Sequence, residues 1–245
     1  MRLVILGGTS KIAGEVARLA ACHHSRILLV GRRWERLEHV SGDLLARGAQ
    51  STDWIVADLA DPTCHRSVVA EAESKLPDFD TVLFSYGTLA QNERAESEVE
   101  YALAEIGTNF TSTVSLLTLL APHFEQRKAG CVIVISSVAG ERGRRSNYIY
   151  GSAKGGLSIF LQGYRARLFR SGVRVLTVKP GPVHTPMTAH LPPSRLFASA
   201  AAVGQRIYRE MTAGSQDVLY APRYWRYVMT GIRGVPEWLA KRLSF

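Results

Sequence analysis

Arg2-Leu-Val-Ile-Leu-Gly-Gly-Thr-Ser-Lys-Ile-Ala-Gly14 is an apolar run that breaks into a glycine-rich turn and resumes in a helical pattern. The run Leu3 to Leu6 is continuous rather than alternating, the mark of a strand buried on both faces. Between strand and helix, backbone N–H groups and the helix N-terminus can seat a pyrophosphate. The plain alternative is an ordinary strand-to-helix turn. The candidate contacts are Gly7, Thr9, Ser10, Lys11 and Ile12.

Working outward, the same alternation continues. Strands are predicted at Arg2–Leu6, Arg26–Val30, Thr52–Ala57, Thr81–Ser85, Cys131–Ser136, Arg174–Lys179 and Asp217–Tyr220. Helical patterns fill about 12–22, 33–48, 62–76, 97–127, 150–171 and 199–213. Near-continuous Val, Ile and Leu in the strands predicts a parallel sheet covered on both sides. The expected fold is therefore α/β, a single-domain doubly wound parallel sheet of Rossmann type. Residues 1–221 are expected to form the dinucleotide-binding body, and 222–245 a C-terminal extension of the same domain.

The 245 residues suit one such domain, and no apolar run reaches the roughly 18 residues of a membrane span. Residues 1–30 do not read as a signal peptide. Cys22, Cys64 and Cys131 are scattered and odd in number, which predicts a reducing, cytoplasmic setting without a disulfide framework. The histidines lack metal-ligand spacing, so no metal is expected. A net charge of +9 favours anionic partners. Without interleaved basic and aromatic motifs, nucleic acid is not among those expected.

Chemistry concentrates in Ser146-Asn-Tyr-Ile-Tyr-Gly-Ser-Ala-Lys154. Tyr150 and Lys154, four apart, share a helix face. An ammonium there favours phenolate and would bring a phenol closer to neutral pH. Ser137, thirteen residues upstream of Tyr150, ends an apolar run and can donate to the same substrate oxygen. A bare Tyr/Lys pair also fits a solvated surface helix. The second strand ends in Arg32 and Arg33, where binding of NAD would call for an acid. Two guanidinium forks suit a ribose 2′-phosphate, the alternative being two solvated arginines.

Together these residues resemble the short-chain dehydrogenase/reductase family over nearly the whole chain. The family's glycine motif aligns with Gly7 to Ala13, its adenine-contacting acid with Asp58 beside Leu59, and its helix asparagine with Asn109. Its catalytic serine, tyrosine and lysine align with Ser137, Tyr150 and Lys154. The loop beside the nicotinamide aligns with Pro180, Gly181, Val183 and Thr185. Lys11 and Ala13 replace family glycines. Phe84-Ser-Tyr-Gly87 stands for Asn-Asn-Ala-Gly, leaving Ser85 and Gly87 as contacts while Tyr86 fills space usually open.

The resemblance implies a carbonyl reductase using NADP, with NADPH favoured over NADH on the strength of Arg32 and Arg33. It also implies that Lys154 touches the nicotinamide ribose and that Asn109 orders a water leading to Lys154. The helices of Asn109 and Tyr150 are implied as subunit contacts of a homodimer or homotetramer. The second half is similar to reductases forming decaprenylphosphoryl arabinose from a 2-keto pentose, through Ser137 to Tyr148, Met187 to Leu191 and the tail. A keto sugar on a polyprenyl phosphate is the substrate so implied. Alternatives are a 3-oxoacyl thioester or other lipophilic ketone, and a nucleotide-sensing scaffold with little activity.

Two features point at an anionic or lipid partner. Arg142, Arg144 and Arg145, between Ser137 and Tyr150, could hold an anionic substrate group or form a solvated loop. On a helical wheel, Tyr224, Trp225, Val228, Met229 and Ile232 share one face, opposite Arg223, Arg226 and Arg233. That stripe fits peripheral contact with the inner face of a membrane, a cover over the cleft, or a subunit interface.

Overall fold

In a computed structural model, which describes residues 1–192 and 194–243, the parallel sheet forms as expected. Its strands are β1 (Arg2–Leu6), β2 (Arg26–Gly31), β3 (Ser51–Val56), β4 (Thr81–Phe84), β5 (Gly130–Ile135), β6 (Val173–Pro180) and, after two short strands, β9 (Val218–Ala221). The order is β3-β2-β1-β4-β5-β6-β9, all parallel. The order reverses between β1 and β4, and there the carboxyl ends of the strands open a crevice. The short strands β7 (Val183–His184) and β8 (Ala198–Ser199) pair with each other.

The apolar strand runs divide by parity, as a period of two requires. Leu3, Ile5, Ile27, Leu29, Ile133 and Val178 face α1 (Lys11–Ala21), α2 (Trp34–Ala46) and α8 (Ala200–Ala213). Val4, Leu6, Leu28, Val30, Val132 and Val134 face α3 (His65–Lys75), α6 (Ser112–Arg127) and α7 (Tyr148–Phe169). Each such side chain contributes on the order of 1.5–3 kcal/mol by leaving water.

Two expectations are corrected. The stretch 97–127 is not one helix. Glu98 is extended and separates α4 (Asn92–Ser97) from α5 (Val99–Ile106), and a π-helical turn at Gly107–Thr111 precedes α6. The apolar pattern runs on through these breaks, so periodicity could not place them. The tail stripe also divides. In α9 (Trp225–Gly234), Trp225 and Met229 bury against Val138, with Ile232 and Tyr220 packed alongside. Tyr224 and Val228 lie 60–100° round the helix at 100° per residue and stay 39% and 38% exposed. After α9 comes the short α10 (Glu237–Ala240), and residues 244 and 245 of the extension lie outside the described residues.

Candidate active site

The glycine turn is shaped by what its glycines touch. Gly7 has φ +94°, and a Cβ there would lie 2.7 Å from the Tyr86 nitrogen. Only glycine allows the turn after β1 to press on the loop after β4. A Cβ on Gly8 would lie 2.9 Å from the Leu29 Cβ. Ser85 donates to the Ser10 hydroxyl at 2.8 Å, and Ser10 caps α1. The first-turn N–H groups of Lys11 and Ile12 have no acceptor within the helix, which leaves an anion seat at its positive end. Lys11 begins the helix, so a side chain in place of the family glycine is accommodated and adds a cation.

Arg32 and Arg33 follow β2 exposed, and neither joins an ion pair among the described residues. Asp58 is exposed, accepts from the Ala60 N–H at 3.1 Å and stands beside buried Leu59. From Pro180 at the end of β6 the chain runs through Gly181 and buried Val183, which opens β7, to half-buried Thr185.

Ser137, Tyr150, Lys154 and Asn109 converge in the crevice. Ser137 follows β5 and begins a 3₁₀ turn, Val138–Glu141, accepting from the Ala139 N–H at 3.1 Å. That turn lies directly on α7. The Gly155 nitrogen and Lys154 carbonyl carbon would each be 2.5 Å from a Cβ at Gly140, and the Ala139 oxygen 2.9 Å from one at Gly151. Below it, Ser136 donates to the Lys154 carbonyl at 3.1 Å and pairs with Ser158 at 2.8 Å. This glycine contact and buried serine strut set Ser137 against the phenol of Tyr150. Periodicity gives no sign of either, although Gly151 and Gly155 are written four apart in the sequence.

Lys154 is buried, its Nζ 3.3 Å from the Ile135 carbonyl and 5.8 Å from the Tyr150 ring centroid. Asn109, 1% exposed, sits in the π-helical turn. Its Oδ1 would be 2.7 Å, and Lys154 Nζ 3.5 Å, from a Cβ on Gly87, so both groups border one point above that glycine. Glu105 and Thr88, absent from the sequence reading, complete this wall: Thr88 Oγ1 donates to Glu105 Oε2 at 2.8 Å.

Burial pushes the Tyr150 phenol up to about 12; the facing Ser137 hydroxyl pulls it back, and the Glu105 carboxylate pushes it up further. Burial pushes the Lys154 ammonium down to about 8. The expected pull of Lys154 on the phenol is not what dominates here: burial is the largest influence on Tyr150. At neutral pH Tyr150 holds its proton and is set to act as an acid.

The tail packs over the loop after β6 and the Val138–Glu141 turn. A Cβ on Gly181 would meet the Trp225 indole, so the indole lies flush on the loop after β6. Glu141, ending the 3₁₀ turn, accepts from Lys179 at 2.9 Å and lies 3.5 Å from Arg233 of α9. The three arginines expected to hold an anionic substrate group separate. Arg142 pairs with Glu237 at 2.7 Å, Arg145 is exposed, and Arg144 is half-buried with a buried Nε that has no partner among the described residues.

A profile of the family described as short chain dehydrogenase matches residues 2–195. An uncharacterized oxidoreductase of Mycobacterium tuberculosis is 34% identical over 241 residues, covering 98% of this chain and 96% of the relative. Another, of Streptomyces coelicolor, is 35% identical over 242 residues, covering 98% and 95%. A short chain dehydrogenase from Burkholderia cenocepacia in complex with NADP has a TM-score of 0.84 at 18% identity, covering 100% of this chain and 97% of that one. At that identity the likeness speaks for the fold.

Proposed function

This protein belongs to the short-chain dehydrogenase/reductase family and is an oxidoreductase, and from that premise we propose that it is an NADPH-dependent carbonyl reductase. The observation that carries the reading is the facing pair of Ser137 and Tyr150, with Lys154 and Asn109 behind them. The residues present fit a dinucleotide. Gly7 and Gly8 let the turn after β1 pack closely on Tyr86 and Leu29, and the first-turn N–H groups of Lys11 and Ile12 stand at the positive end of α1 as the seat for a pyrophosphate. Asp58 and Leu59 would border the adenine. Ser85, Gly87, Pro180, Gly181, Val183 and Thr185 would border the nicotinamide half, and Lys154 its ribose. Arg32 and Arg33 would hold a 2′-phosphate.

The nicotinamide, when bound, supplies the hydride. Tyr150 gives its proton to the substrate oxygen as that oxygen gains charge. Ser137 donates a hydrogen bond to the same oxygen. Lys154 keeps an ammonium beside the phenol at neutral pH, and Asn109 aims its amide oxygen at the route by which Lys154 recovers a proton. If Arg32 and Arg33 select the phosphate, titration will show NADPH binding at least tenfold tighter than NADH, since each charge-assisted bond contributes about 1.5–3 kcal/mol. Equal affinities, or tighter NADH, would return both arginines to the solvated surface.

The proposed substrate is a keto sugar carried on a polyprenyl phosphate. Arg144 supports this: its buried Nε has no hydrogen-bond partner among the described residues, and an anion beside the Val138–Glu141 turn would supply one. A 3-oxoacyl thioester or other lipophilic ketone lacking the phosphate would leave it unmatched. Beside the cleft, exposed Tyr227 and Trp238 stand among Arg223, Arg226, Lys241 and Arg242, which suits peripheral contact with an anionic membrane at its cytoplasmic face. The protein should sediment with anionic vesicles at low salt and less at high salt; indifference to vesicles at every salt would sink this part. Val99 and Leu103 of α5 and Ile159 and Phe169 of α7 are exposed, and on them we place the contacts of a homodimer or homotetramer.

A further inference from the structure

Glu105 is 7% exposed and forms no ion pair among the described residues. Burying such a carboxylate is costly unless donors surround it. Here they do. Thr88 Oγ1 donates to Glu105 Oε2 at 2.8 Å, and Asn109 Nδ2 donates to the same oxygen at 3.3 Å and to the Glu105 carbonyl at 3.0 Å. Asn109 Nδ2 also donates to Thr88 Oγ1 at 3.0 Å, and the Thr88 N–H donates to Asn109 Oδ1 at 3.2 Å. Two donors, Thr88 Oγ1 and Asn109 Nδ2, reach the carboxylate oxygen, and the bonds between Thr88 and Asn109 close the triangle around it.

The consequence is directional. An asparagine amide can sit in a site two ways round, with oxygen and nitrogen exchanged. With its NH₂ committed to Glu105, the amide presents Oδ1 toward Gly87 and the Lys154 ammonium. The same carboxylate is close enough to Tyr150 to oppose ionisation of the phenol.

We propose that Glu105 is a positioning residue for the proton path, acting through Asn109 and Thr88 to aim the amide oxygen at Lys154 and hold the catalytic pair protonated. This rests on the reductase reading. The charged and titratable groups facing the site are Tyr150 and Lys154 from α7 and Glu105 from α5; the loop after β4 brings Thr88, which carries no charge. Removing the negative charge makes phenolate easier to form and ammonium easier to lose. Both effects move the alkaline fall of the reduction rate to lower pH.

The test compares Glu105→Gln with the parent chain. The amide keeps size and one acceptor but removes the charge. The expected result is an alkaline limb shifted down by about one pH unit, with the NADPH dissociation constant within about twofold of the parent. In the free protein, the Asn109 side-chain amide protons, assigned by NMR with Asn109→Ala, should exchange faster with solvent. An unmoved limb with unmoved amide exchange would overturn the proposal. Should Glu105→Gln not fold, Thr88→Val opens the same triangle from its other corner. Its turnover is then expected to fall roughly tenfold with cofactor affinity kept, and unchanged turnover would count against the proposal. Tyr150→Phe run alongside separates the two ideas: near-normal turnover there removes the reductase reading itself, whatever Glu105 does.

Discussion

Tyr150→Phe is expected to bind cofactor as the parent does and to lose turnover by about 10²-fold or more. The ring keeps its place over the Lys154 ammonium, 5.8 Å from its centroid, so packing survives the change. What disappears is one hydroxyl, whose phenol is held protonated by burial and faces Ser137. Ser137 cannot take over. It is a weaker acid than a phenol, and its oxygen already accepts from the Ala139 N–H. Turnover near that of the parent would remove Tyr150 from the mechanism.

Gly140→Ala is the second large effect. Its Cβ would stand 2.5 Å from the Gly155 nitrogen and from the Lys154 carbonyl carbon, both backbone atoms of α7 that cannot swing aside. The 3₁₀ turn must lift, carrying Ser137 away from Tyr150. Overpacking of this kind costs about 1–3 kcal/mol or more. A displacement of about 1 Å in a catalytic group can cost about 10²-fold in rate. A lower melting temperature and a turnover loss of that order are therefore expected. Gly143→Ala is the control, because a Cβ there meets nothing within 4 Å. If the two variants behaved alike, the glycine contact would have no part in placing Ser137.

These two residues mark how far the sequence carries. Tyr150, Lys154 and Ser137 are legible because their chemistry depends on residue type and on spacing along one helix and one strand end. The sheet is equally legible, since apolar runs such as Leu3–Leu6 leave no polar face for solvent. Gly140 is not, because its requirement is set by the backbone of an element met fifteen residues later. Glu105 escaped for a related reason. Its acid lies in a helical stretch whose register is reset by the extended Glu98 and the π-helical turn at Gly107–Thr111, and only that geometry turns it inward. The tail lies between these cases. Its amphipathic pattern is plain, but which side of it meets the protein depends on the Val138 turn and on Gly181.

On the proposed reading, this crevice moves a hydride from a nicotinamide to a carbonyl carbon while Tyr150 supplies the proton. The most direct measurement follows deuterium from NADPH labelled at C4 of the nicotinamide, each face in turn, into the alcohol formed from a ketone substrate. One deuterium is expected on the carbinol carbon from one labelled face, none from the other, and only a trace of labelled product with Tyr150→Phe. Cofactor oxidised without label reaching the product carbon, or equal label from both faces, would contradict it.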